Sequence, residues 1–380
     1  MTVCKKCLVT TRDPGIELDE QGLCRLCRNP LLGFRASPPA ALASRCLRDF
    51  EETVSRLKGR FAYDGLICLS GGKDSSYLAV LLREKYGLNL LGYNLETGFE
   101  AKGVRDNLSG VAGKLNVDLE IFSWPADFSR RFYRYFFTRP LREGLTATVC
   151  RVCQLALLGA AVQAARRRRI PLVFLGYSPF QTAEKWFYEI FPETLAAQYR
   201  AFGGFWEQPG LSPAFRENFY FPGEAEGEPA RFPRILAPLH VCEYPSEKLI
   251  RKKLDERGFL AAKKTLPRRT KCRLVWLSAC LDTIHFQDHP FRELISEKIR
   301  RGEASRWKYL LAGRLFSWLC RNRLFRRKLV RNTLADLGMT ETEALEFLGK
   351  TRESDRGYRD IFRIHPGREI LRGPHESERL

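Results

Sequence analysis

Apolar and polar positions follow two alternating rhythms between residues 60 and 180. Short apolar runs at 63–69, 89–95, 118–122 and 171–176 have the length of strands. Between them lie helix-period stretches at 77–86, up to Val111, and at 153–168. Strands that alternate with helices predict an α/β fold, a parallel sheet with helices on both faces. A further helical pattern near 40–58 follows a linker with Ser37-Pro38-Pro39. Residues 203–234, rich in glycine, proline and aromatics, read as a long irregular insertion, and from Ser246 onward the pattern is mainly helical and basic. The expected organisation is a cysteine knuckle at 1–32, a linker and helix at 33–59, the α/β domain at 60–242 and a helical region at 243–380. The last thirty or so residues are expected to be a mobile tail.

With 380 residues, 44% of them hydrophobic, the chain is long enough to bury a sizeable core. Its formal net charge is +20, from 64 Lys+Arg against 44 Asp+Glu. Such an excess favours polyanionic partners, namely RNA, nucleotides or an anionic membrane surface, although a compositional bias of the gene would yield the same count. The start Met1-Thr2-Val3-Cys4-Lys5 lacks an apolar signal region, and no unbroken apolar stretch of about eighteen residues follows. The expectation is a cytoplasmic protein without a transmembrane segment.

Twelve cysteines in a chain of this kind suggest metal or redox use rather than a disulfide scaffold. Cys4-Lys5-Lys6-Cys7 and Cys24-Arg25-Leu26-Cys27 flank a turn-rich stretch containing Asp13-Pro14-Gly15. Two C-x-x-C pairs so spaced predict a structural zinc site, because four protein thiolates leave no open coordination position. The plainer alternative is four unrelated reduced cysteines.

The apolar run ending at Leu69 leads into Ser70-Gly71-Gly72-Lys73-Asp74-Ser75-Ser76 and then a helix. Glycines directly after a strand let backbone N–H groups approach a phosphate, and the helix presents its positive end to the same anion. Lys73 adds a cation, Ser70, Ser75 and Ser76 add hydroxyl donors, and Asp74 suits a metal or capping role. The string is not a Walker A loop, since Asp74 follows Lys73 and Ile67 occupies the upstream glycine position.

The stretch from Leu69 to Ser75 resembles the S-G-G-x-D-S loop of PP-loop ATP pyrophosphatases. That resemblance implies a HUP-like fold, binding of ATP and Mg, adenylation of a substrate oxygen with release of pyrophosphate, and replacement of that oxygen by a nucleophile. It also implies nucleotide-facing roles for Asn94, Glu96 and Gly98 and for the turn Gly176-Tyr177-Ser178.

Two groups within the superfamily compete. The N-terminal cysteines, Cys150-Arg151-Val152-Cys153 and Ile170-Pro171-Leu172-Val173 resemble N-acetyl sugar amidotransferases, which implies a nucleotide-linked sugar substrate and ammonia from a partner glutaminase. Residues 258–276 depart from the Gly-Gly-Lys-His stretch of that group. The iron–sulfur tRNA thiolases are the alternative, with Cys150, Cys153 and Cys272 as ligands of a [4Fe–4S] cluster, Cys242 in reserve, and a sulfur-donor partner. Persulfide or zinc chemistry at the same thiols, or plain burial, also fits their positions. A non-catalytic nucleotide-binding module is the third reading, in which Lys73 and Asp74 have no catalytic task.

Cys46, Cys68, Cys280 and Cys320 read as packing residues. His285 and His289, near Asp282 and Asp288, have a metal-compatible spacing, but Pro290 interrupts the helix and favours a surface or capping role. The basic run Arg321, Arg323, Arg326, Arg327, Lys328 and Arg331 is interleaved with Phe316, Trp318, Leu319, Leu324 and Phe325. It reads either as a solvated helix face or as a contact for RNA or an anionic membrane.

Overall fold

The computed structural model describes residues 2–11, 16–29, 40–101, 103–141, 143–178, 187–201, 217–219, 232–259, 272–287 and 289–350. Its strands are β1 (Gly65–Cys68), β2 (Leu90–Glu96), β3 (Asp118–Ser123), β4 (Leu172–Leu175), β5 (Glu189–Ile190) and β6 (Arg234–Leu236). They form one sheet in the order β3-β2-β1-β4-β6-β5, parallel throughout except for β5, which runs antiparallel to β6. The predicted all-parallel sheet therefore carries one short antiparallel edge, which caps the last parallel strand.

Helices α1 (Ala40–Leu57), α2 (Lys73–Val80), α3 (Val104–Leu115), α4 (Ala126–Phe137), α5 (Leu145–Arg167) and α6 (Pro192–Ala201) surround the sheet. Beyond it follow α7 (Glu247–Glu256), α8 (Arg273–Phe286), α9 (Arg292–Arg300), α10 (Arg306–Arg321), α11 (Arg327–Leu337) and α12 (Glu341–Gly349). Helix α1 buries Cys46, Phe50, Val54 and Leu57, a spacing of four, four and three that makes one apolar face.

The central strands are buried on both sides. Leu66 and Cys68 of β1 and Val173 and Leu175 of β4 join one hydrophobic cluster, whereas Ile67 and Leu69, with Leu172 and Phe174, join the other. This period-two division is the reason continuous apolar runs mark the strands. The first cluster extends without a break into the C-terminal helices through Leu274, Leu281, Leu334 and Leu348.

Three local expectations change. The helix after the glycine turn begins at Lys73, not Tyr77, and ends in a π-helical turn at Leu81–Lys85. The helix expected from 153 begins at Leu145, because the carboxylate of Asp282, on α8, accepts the backbone N–H groups of Leu145 and Thr146 at 2.8 Å each. Cys150 and Cys153 consequently lie inside a helix rather than before it. By length and composition α5 would suffice to cross a membrane, but two-thirds of its most apolar window is buried within the protein, as expected of a core helix. Most of the insertion at 203–234, the tail beyond 350, the Ser37-Pro38-Pro39 linker and Asp288 lie outside the described residues.

Candidate functional site

The sheet order reverses between β1 and β4: the chain runs outward through β2 and β3 on one side and through β6 on the other. A ligand crevice in such a sheet forms at the carboxyl ends of the strands flanking that point. The Ser70–Ser76 loop sits there. Gly71 has φ +63°, and a Cβ on it would meet the Val104 carbonyl oxygen at 3.1 Å, so only glycine suits the turn. Gly176, just beyond β4, packs so closely that a Cβ would lie 2.7 Å from the Ser75 Cα.

Short contacts shape the loop from within. The Ser75 hydroxyl accepts the Ser70 N–H at 3.2 Å and donates to the Gly72 carbonyl at 3.3 Å, and the Ser70 hydroxyl accepts the Gly72 N–H at 3.3 Å. The Asn94 side-chain amide donates to the Leu69 carbonyl at 2.6 Å, and Asn107, unnoticed in the sequence, reaches the Gly71 carbonyl at 3.4 Å. Asn94 thus braces the loop from the end of β2. Glu96 is held by Arg105 at 2.6 Å and by the Ser123 hydroxyl at 2.6 Å, and Gly98 is exposed. Ser76 is buried in α2.

Lys73 and Asp74 form the polar centre. The Lys73 ammonium donates to both Asp74 oxygens, at 2.6 and 2.7 Å, and pairs with Glu247 at 3.2 Å. The Tyr244 hydroxyl donates to Asp74, and Lys298 pairs with Glu247 at 3.1 Å. Burial would push the Glu247 carboxyl upward, but Lys73 and Lys298 more than offset it and hold the group below its usual value. Burial raises the Tyr244 phenol, with Asp74 adding to the effect, while Ser178 lies within hydrogen-bond reach of the same hydroxyl. Tyr244, Glu247 and Lys298 were missed in the sequence because they belong to segments about 170 residues and more away from the loop. The only local hint was the α7 start at Ser246, whose side chain caps the helix.

The N-terminal thiols are gathered as expected. The ligand atoms of Cys4, Cys7, Cys24 and Cys27 all lie within 4.8 Å of one another, and Cys7 and Cys24 sulfurs are 3.8 Å apart. A tetrahedral zinc with Zn–S bonds of about 2.3 Å needs thiolates roughly 3.8 Å apart, so the donor set fits one metal ion. A hydrogen bond from Cys27 holds the Cys7 thiol below its usual value against the cost of burial. The knuckle docks on the C-terminal helices: Arg306 donates to the Cys7 and Cys4 carbonyls at 3.0 and 2.9 Å, and Leu8 N–H donates to the Ser296 hydroxyl at 3.1 Å.

Cys150, Cys153 and Cys272 also converge, but more loosely. Cys153 contributes to the raised pKa of Cys150 and of Cys272, and Cys150 and Cys153 to that of Tyr177 in the turn after β4, while Tyr133 lies beside Cys153. Burial pushes the Cys150 thiol up to about 12 and also raises Cys153 and Cys272. Cys272 occupies the N-cap position of α8 without a side-chain capping bond, and its backbone forms an antiparallel bridge with Glu100, in the segment after β2. Among the described residues only the N-terminal four bring all ligand atoms within 4.8 Å of one another. Cys242 belongs to the other hydrophobic cluster, 3.7 Å from the Tyr86 hydroxyl.

His289 accepts the Phe291 N–H at 3.1 Å and lies tilted against Phe316, and burial lowers its pKa to about 4. Asp282 is engaged in capping α5, so no metal group gathers around these histidines among the described residues.

No family model matches the chain. A GMP synthase (glutamine-hydrolyzing) from Elusimicrobium minutum (strain Pei191) is 39% identical over 70 residues, which is 18% of this chain and 14% of that enzyme. Over those 70 residues the chain is similar to that enzyme, of whose length it spans about one-seventh. Solved structures similar to it include the U34-tRNA thiolase NcsA from Methanococcus maripaludis with its [4Fe-4S] cluster, at 15% identity and a TM-score of 0.27, over 82% of this chain and 89% of that one. The NH3-dependent NAD synthetase from Campylobacter jejuni shows 12% identity and a TM-score of 0.28, over 60% and 98%. NMN synthetase from Francisella tularensis shows 13% and 0.24, over 38% and 56%.

Proposed function

We propose that this chain is an enzyme that uses ATP to adenylate an oxygen of its substrate, so that nitrogen or sulfur can take that oxygen's place. The supporting observation is the phosphate loop at the switch point of the sheet, with Lys73 and Asp74 held between Tyr244 and Glu247. The N–H groups of the glycine turn and the start of α2 would receive the phosphates. Lys73, exchanging its carboxylate partners for phosphate oxygens, would add positive charge, and the Asp74 carboxylate so released is a hard oxygen ligand suited to Mg²⁺. The substrate oxygen attacks the α-phosphorus, the bond to pyrophosphate breaks, and the incoming nucleophile then expels AMP.

The first reading of the substrate is an N-acetyl sugar amidotransferase-like reaction on a nucleotide-linked sugar, with ammonia delivered by a glutaminase partner. The second is an iron–sulfur thiolase acting on tRNA or a small molecule, and the convergence of Cys150, Cys153 and Cys272 favours it. A cluster held by these three thiolates would supply an open iron for sulfide. Lys73→Ala and Ser75→Ala should each lower pyrophosphate release from ATP by about a hundredfold or more while leaving the circular dichroism spectrum unchanged. Unchanged release in both variants would remove the ATP reading. Iron and sulfide analysis of anaerobically purified protein separates the two nucleophiles.

A further inference from the structure

Among the described residues, one face of helix α10 is left uncovered. Its inner side is committed: Cys320 is buried beside Cys280 of α8, and Phe316 packs edge-on against Phe325. Trp307, Leu311, Leu315 and Trp318 recur at spacings of four, four and three, so they share a single stripe on the opposite side. They are 71%, 64%, 57% and 55% exposed, and Leu324, just past the helix end, is 52% exposed. A stripe of this kind is seldom left to water.

Along this stretch of sequence the charge has one sign, and Glu341 from α12 meets it at Arg323, 3.0 Å away. Between residues 306 and 331 the chain carries nine Lys or Arg and no acidic residue. Arg314 and Arg321 lie along one margin of the stripe, Lys308 along the other, and Arg327, Lys328 and Arg331 follow on α11; all six are exposed. At about 1.5 Å per residue the helix is roughly 24 Å long, enough to lie flat on a surface.

We propose that this face of α10 docks on the surface of an anionic phospholipid bilayer. Two tryptophans and two leucines would enter the boundary between headgroups and acyl chains, while the flanking arginines and lysines reach the lipid phosphates. RNA suits the face less well, since leucine offers neither a stacking plane nor a hydrogen bond to a nucleotide. A second copy of the chain would bring two like-charged margins together. Docking would hold the knuckle, which Arg306 ties to the start of α10, close to the bilayer.

The test uses the full chain and sedimentation with vesicles of phosphatidylcholine alone or mixed with phosphatidylglycerol. The protein should pellet with the mixed vesicles only, its tryptophan emission shifting to the blue. Leu311→Glu with Leu315→Glu should weaken that partition about tenfold or more, and Trp307→Phe with Trp318→Phe should remove most of the emission shift. Arg314→Glu with Arg321→Glu should weaken partition as well, all three variants keeping the wild-type melting temperature. Failure of the wild type to pellet with anionic vesicles overturns the proposal. So does equal partition of the leucine variant and wild type, which would mark simple charge attraction, or loss of tRNA binding in the leucine variant. A change of sedimentation coefficient caused by the leucine substitutions alone would assign the face to a second copy and equally overturn it.

Discussion

The two cysteine groups of this protein differ in how they are assembled. Cys4, Cys7, Cys24 and Cys27 lie within a segment of 24 residues, and their sulfurs lie at metal-binding distance from one another. Cys150 and Cys153 lie within α5 and Cys272 at the N-cap of α8, two helices held together by packing and by the Asp282 hydrogen bonds to Leu145 and Thr146, and their sulfurs do not close around a point. The first group is a chelate built by local geometry, which suits one small ion. The second depends on α5 and α8 staying together, so anything that loosens that pair also loosens the thiols.

The largest expected effect falls on the local group. Cys4→Ser with Cys24→Ser should remove about one zinc per chain and expose residues 1–29 to proteolysis, since metal binding and folding of such a knuckle are one event. Mass spectrometric metal analysis of the wild type that finds no zinc would break the comparison at its first term. For the second group, single serine substitutions of Cys150, Cys153 and Cys272 should each cost as much activity as the triple substitution if they act as one unit. Additive losses, or full iron retained in Cys272→Ser but lost in Cys242→Ser, would reassign the set.

Helix capping repeats the contrast at lower energy. Helix α5 is capped across the fold by Asp282, whose burial raises its pKa from 3.8 to about 6. Because the folded form then binds a proton that the unfolded form has already lost, this group's contribution is fully present below about pH 4 and disappears as pH rises through about 6. The difference is equivalent to about 3 kcal/mol. Asp282→Asn should therefore flatten the pH dependence of the melting temperature between those limits, and parallel curves for variant and wild type would contradict it. Helix α12, by contrast, is capped within its own sequence by Thr340 and Glu343 in a reciprocal box. Thr340→Ala should cost about 1 kcal/mol in denaturant unfolding, the smallest of these effects.

What the sequence determined by itself was everything carried by near neighbours: the four-cysteine knuckle, the glycine turn after β1, and the alternation that announces a doubly covered sheet. In each case a few consecutive residues constrain one another through fixed backbone geometry, so spacing is enough. Tertiary structure alone decided the rest. That Lys73 rests against Glu247, that Asn107 braces Gly71, that Asp282 starts α5 eight residues before the apolar pattern suggests, and that Cys272 meets Glu100 all follow from which helices pack together. Such partners lie tens to nearly two hundred residues apart, and a chain so spaced has no local preference for one of them. Only the simultaneous burial of both faces of the sheet and of the C-terminal helices selects them.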